Sequence, residues 1–120
     1  MTIPNPLVIT VNAVAKNLPR INNDNYTSEY LFTDTTEEYR VKIRHSKEGV
    51  QASGIQFDRH NVELTHTIYG TSGAPDTVLQ CYAVIRNSKA STAVNMGYIQ
   101  SALNGLLTAG FVADLRGWQS

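Results

Sequence analysis

Apolar residues recur along this chain at two different spacings. Up to about residue 87 the period is mostly two, the mark of half-buried strands. After about residue 91 it is near 3.6, the mark of a helix. Leu7 to Val11 is short and β-branched, and Val14 to Leu18 follows after Asn12, so the two predict an N-terminal hairpin that Pro19 ends. Ile21 to Asn25 carries turn chemistry. Tyr26 to Phe32 predicts a third strand, with a turn at Thr33 to Thr36. Glu37 to His45 alternates most clearly: Tyr39, Val41, Ile43 and His45 take one face and Arg40, Lys42 and Arg44 the other. Ile55 and Phe57 mark a fifth strand. Val62, Leu64, His66 and Ile68 mark a sixth, and Val78 to Arg86 a seventh.

The segment from 91 to 118 predicts helix. Ser91 or Thr92 can cap it, and Val94, Tyr98, Ile99, Ala102, Leu103, Leu106 and Leu107 recur at helical spacing. Gly110 is the expected stop, with a turn or two of further helix from Phe111 to Trp118. Strands followed by helix give an α+β fold. The expected organisation is one domain over residues 1–120: a hairpin at 1–18, an antiparallel sheet of about five strands at 26–86, and a helical region at 91–118. No charged residue lies between Lys89 and Asp114. A helix lying on its own sheet normally keeps a charged outer face. An uncharged one is explained by burial on both sides, one of them against a partner chain.

Composition narrows the class. Ten Lys/Arg balance ten Asp/Glu, for a formal net charge of zero. That excludes a generic polycation binding nucleic acid by bulk charge, but not a basic face on a neutral body. The single cysteine, Cys81, excludes an internal disulfide and a multi-cysteine zinc site, and its alternation with Leu79, Ala83 and Ile85 reads as a small buried hydrophobe. No signal-peptide pattern and no membrane-spanning run is present, so a reducing cytoplasm is the expected compartment.

Catalytic chemistry finds little support. His45, His60 and His66 have no metalloprotease spacing, His66 reads as a core histidine, and no nucleophile elbow or phosphate-binding glycine loop occurs. The chain reads as a non-enzyme. Asp24, Glu29, Asp34, Glu37 and Glu38 read as solvated turns and strand ends, with calcium between subunits as the alternative use of such oxygen ligands. The basic set is more pointed. Arg40, Lys42 and Arg44 share a face; Asn61 and Glu63 fall on the polar side of the sixth strand; Gln80, Tyr82, Val84 and Arg86 share a face of the seventh. If these faces coincide, one side of the sheet is apolar and carries the helices. The other is a polar platform whose cations suit phosphates and whose Asn61, Gln80 and Tyr82 suit unpaired bases.

The order of elements, and several runs within them, resemble the coat proteins of single-stranded RNA bacteriophages (the levivirus type), closest to the Caulobacter-phage branch. The runs are Ile21-Asn22, Tyr26-Thr27-Ser28-Glu29-Tyr30, Val41 to Glu48, Arg59-His60-Asn61-Val62-Glu63, Ala83-Val84-Ile85-Arg86 and Gly117-Trp118. The resemblance covers roughly residues 16 to 118. It implies an interlocked homodimer whose two sheets join edge to edge, with each chain's helices over its partner and Val94, Tyr98, Ile99, Ala102, Leu103, Leu106 and Leu107 at the interface. It implies an icosahedral shell of T=3 type around viral single-stranded RNA, with the helix-free sheet face inward. Arg40, Lys42, Arg44, Asn61, Glu63, Gln80 and Tyr82 match strands that touch RNA in relatives. Lys42 and Arg44 stand where relatives with specific hairpin readout often have Thr or Ser, which favours broad phosphate binding.

The resemblance also places the loop Gly70, Thr71, Ser72, Gly73, Ala74, Pro75 and Asp76 around the symmetry axes. It implies a viral maturation protein as a partner, a virion location after assembly in the bacterial cytoplasm, and, in many members, repression of replicase translation. Trp118 reads as core or interface. Two other readings stand beside the shell: a dimeric RNA-binding regulator that closes no shell, and a small-ligand or metal-binding β domain.

Overall fold

The computed structural model describes residues 3–119, which form two compact units divided after Arg86. The first unit opens with β1 (Leu7–Val11) and β2 (Val14–Leu18), paired antiparallel from Leu7↔Leu18 to Val11↔Val14. The turn between them has only Asn12 and Ala13, at φ 49° and 64°. Two positive φ values in succession are what a two-residue hairpin needs to match the strand twist. The five-stranded sheet follows in the order β3 (Arg20–Asp24), β4 (Thr27–Thr33), β5 (Glu37–Lys47), β6 (Phe57–Ile68) and β7 (Thr77–Ser88). In the second unit α1 (Ala93–Leu106) and α2 (Ala109–Arg116) complete an α+β fold.

The expected alternation in β5 is realised: Tyr39, Val41 and Ile43 are buried, while Arg40, Lys42 and Arg44 are partly or fully exposed. The buried face is capped by the hairpin. Leu18, Tyr30, Tyr39, Val41 and Ile43 form the core, with Leu7, Ile9, Val11, Phe32 and Leu64 packed around it. The small sheet therefore lies on the apolar face of the large one over β4 and β5. Burial of these side chains is the main source of the unit's stability, at about 1.5–3 kcal/mol for each fully buried large apolar residue.

Four expectations need correction. Of Ile21 to Asn25 only Asn25 lies in a turn: Asn22, Asn23 and Asp24 pair with Glu29, Ser28 and Thr27 in β3, on an exposed edge where ladder hydrogen bonds outweigh the turn preference of Asn and Asp. The fifth and sixth strands are one continuous strand of 12 residues, β6, because Phe57 to Ile68 keeps one ladder with β5. Gly110 does not stop the helix. The backbone turns at Leu107, and Thr108 restarts it by accepting from Phe111 N at 3.2 Å, which leaves Gly110 inside α2. Cys81 is exposed rather than buried, because β7 is an edge strand whose residues 77–84 are all exposed. The cap of α1 is as expected, with the Thr92 hydroxyl accepting from Asn95 N at 3.2 Å.

At one end of the core, Tyr39 stacks on His66 at 4.2 Å, and Glu37 contacts both. Its carboxylate meets His66 Nε2 at 2.8 Å, accepts from the Tyr39 hydroxyl at 3.3 Å and faces Lys16 at 3.6 Å. The hydrogen bond with His66 holds the Glu37 carboxyl below its ordinary pKa, with Lys16 adding to the effect. A carboxyl depressed on folding stabilises the native state above its unfolded pKa, and that contribution fades as pH falls through the folded value. Glu37→Gln should therefore flatten the acid limb of the stability curve. Urea midpoints taken from about pH 6 to about pH 3 should fall less steeply in the variant than in the parent.

Candidate nucleic-acid interface

The long register between β5 and β6 decides which polar residues meet. Arg44 pairs with Asn61, Lys42 with Glu63 and Arg40 with Thr65, so these six side chains share the face opposite the core. On the other flank of β5, Thr27, Glu29 and Leu31 join them from β4. Gln80 of β7 reaches the same face, donating to Glu63 at 2.7 Å and to Thr65 at 3.2 Å. Tyr82 and Arg86 follow it at alternate positions of the strand. The side chains picked out along the sequence, Arg40, Lys42, Arg44, Asn61, Glu63, Gln80, Tyr82 and Arg86, thus converge on one surface of the sheet. Arg59 also belongs there and escaped notice in the sequence, because its strand was divided and its parity with Asn61 and Glu63 was hidden. Opposite Ser46 and alternate to Asn61, it extends the basic row.

The platform's charges are largely matched within it. Arg40 pairs with Glu29 and lies 3.9 Å from Glu38; Arg44 meets Glu63 at 3.1 Å. Arg86 binds Glu48 through two nitrogens, at 2.5 and 2.9 Å, with its guanidinium 4.4 Å from the centre of the Phe57 ring. That fork raises the pKa of Arg86 and lowers that of Glu48. Lys42 is different. Among the described residues it has no ion pair, although it stands opposite Glu63 in the ladder. Asn61 is only 9% exposed, and its Oδ1 is buried without a hydrogen-bond partner. Tyr82 is exposed to 63%, presenting a ring on which a base can stack.

The remaining candidates fall elsewhere. The acidic residues serve local structure: Glu29 and Glu37 are in the pairs already described. The Asp34 carboxylate accepts from Thr36 N at 2.7 Å and Glu37 N at 2.9 Å, which lowers its pKa. Among the described residues no three or more His, Cys, Asp or Glu are arranged to hold a metal. Trp118 is 94% exposed, so it is no part of a core within this chain. On α1, Val94, Tyr98, Ile99, Leu103, Leu106 and Leu107 are exposed, and no residue of that helix is buried. Among the described residues, no helix is long and apolar enough to cross a membrane.

The 70–76 loop links β6 to β7 and is tied at its base, where Asp76 Oδ1 accepts from Gly70 N at 2.7 Å. The chain closes so tightly that a Cβ on Gly70 would lie 1.9 Å from the Ala74 carbonyl oxygen. Gly70→Ala should force the loop open. Limited proteolysis should cut within 70–76 faster in the variant, while the urea midpoint of the sheet stays close to that of the parent.

Comparison with known protein families gives a match. The family model described as "Phage phiCb5, coat protein" matches residues 4–88. No curated protein matches the chain. The matched stretch holds both sheets and every platform residue, and it ends with β7, leaving α1 and α2 outside. Over most of its length, then, and over the whole of the platform, the chain belongs to the phage phiCb5 coat protein family.

Proposed function

We propose that this structural coat protein dimerises, assembles into an icosahedral shell of T=3 type, and encloses single-stranded viral RNA against the β4–β7 platform. The observation that carries the assembly half is the exposed apolar surface of each unit. In the sheet it is β7, where Val78, Leu79, Tyr82 and Val84 are exposed on an edge strand. In the helical unit it is α1, with Tyr98 at 69% and Ile99 at 74% exposure and no charge on any face. An uncovered strand edge and an apolar patch of this kind are liabilities unless other copies of the chain cover them. Coat-family membership supplies the partner: the chain itself.

The RNA half rests on the platform's layout. Lys42 is ready to meet a phosphate. Arg40, Arg44 and Arg86 are held in place by carboxylates that a phosphate would have to displace or approach. Tyr82 offers a ring to an unstacked base, and the buried Asn61 Oδ1 would reach one once its side chain turns outward. The 70–76 loop is the element we assign to contacts around the symmetry axes, and the maturation protein is a further partner in the virion.

Electron microscopy of the purified protein, with its ultraviolet absorbance ratio, tests both halves. Uniform closed shells with a nucleic-acid spectrum are expected. Dimers alone that bind RNA would replace the shell by a soluble regulator. On the platform, Lys42→Ala should lower packaged RNA and reduce the salt slope of RNA binding by about 0.7, one single-strand phosphate contact. Glu63→Gln should act in the opposite direction by releasing Arg44. An unchanged RNA content in both variants would overturn the assignment of this face.

A further inference from the structure

The other face of the β5–β6 ladder carries a feature the coat function does not use. His45 and His60 are directly opposed in the register, and their Nδ1 atoms lie 2.8 Å apart with the rings edge to face. Lys47 and Asp58 are the opposed pair one step further on that face, and Tyr26 closes one side through its carbonyl, which accepts from His45 N at 2.8 Å. These residues and Ser46 line an open cavity of about 470 Å³. Asp58 Oδ1 is buried there without a hydrogen-bond partner.

We infer that His45 and His60 chelate a borderline divalent transition-metal cation of the Ni²⁺, Cu²⁺ or Zn²⁺ class. Two imidazole nitrogens at about 2.1 Å from a metal lie about 3.0 Å apart when they subtend a right angle. The observed separation is close to that value, so the spacing suits a tetragonal or octahedral cation once both rings turn to aim their lone pairs at it. In the metal-free pair one ring must donate its Nδ1 proton and the other accept. On metal binding the donating ring keeps its proton on Nε2 instead, so both Nδ1 lone pairs reach the cation.

No third His, Cys, Asp or Glu joins as a direct ligand among the described residues, so water takes the remaining positions. Asp58 Oδ1 is the acceptor that such a water needs, and its charge offsets that of Lys47. Arg44 and Arg59 stand on the opposite face of their strands and do not oppose the cation. The bound ion clamps β5 to β6 where they part into the 48–56 connection.

The test is calorimetric titration of the full chain, prepared without a histidine tag, with Ni²⁺ and then Zn²⁺ in excess Ca²⁺. One ion per chain is expected, with binding weakened roughly tenfold or more in His45→Gln and in His60→Gln. Binding equal in parent and variants, or displaced by Ca²⁺, would overturn the site, since imidazole does not hold hard cations and carboxylates do. Electron paramagnetic resonance of the parent with Cu²⁺ keeps the inference testable if a variant misfolds. Coupling to two nitrogen nuclei supports it, and all-oxygen coordination rejects it.

Discussion

Nearly every property of the sheet depends on the register between β5 and β6. The ladder runs unbroken from Glu37↔Ile68 to Lys47↔Asp58. Side chains alternate with a period of two, so a slip of one residue would send Tyr39, Val41 and Ile43 to water and Arg40, Lys42 and Arg44 into the core. The core prevents that slip. Leu18, wholly buried on the inner side of the hairpin, packs against the same face that Tyr39, Val41 and Ile43 must occupy. One constraint thus produces a dry face closed by β1 and β2, a polar platform opposite, and a pair of histidines aligned at the ladder's end.

The platform's chemistry explains how a neutral chain can present cations without becoming a polycation. Glu29, Glu63 and Glu48 each take an arginine, and Gln80 fills another site on Glu63. Such exposed pairs contribute little to stability, typically below about 1 kcal/mol each. Their effect is geometric: guanidinium groups on long side chains are held in place over the sheet. On the proposed reading, an RNA phosphate competes with a carboxylate for Arg40, Arg44 and Arg86, whereas Lys42 offers its charge without that competition. Affinity for any one phosphate would then be moderate, which suits the proposed shell, where the surface is repeated many times.

Much of this was legible in the sequence because β5 alternates so cleanly. The alternation of Tyr39 to His45, the polar parity of Asn61 and Glu63, and the runs shared with RNA-phage coat proteins were enough to indicate the fold and to gather eight platform residues. What was hidden had physical causes. Asn22, Asn23 and Asp24 have turn-forming side chains, yet they lie on an exposed edge where only the ladder matters. Residues 58 to 61 carry no apolar alternation, so β6 seemed to break and Arg59 was lost with it. The approach of His45 to His60 depends on register, which the identities of two histidines 15 residues apart do not reveal.

Cys81 shows most clearly where reading a single chain stops. Its apolar neighbours Leu79, Ala83 and Ile85 describe a strand made for burial, and three of those four residues are nevertheless exposed. The same conflict recurs on α1, whose uncharged surface has no buried residue. Local sequence and fold normally agree in a protein that completes its own core. Here they disagree most along β7 and along both helices, none of whose residues is buried, while Tyr30 of β4, Leu18 of the hairpin and Tyr39, Val41 and Ile43 of β5 are buried as their pattern requires. The proposed assembly accounts for a disagreement that runs along whole elements, with another copy of the chain as the covering surface.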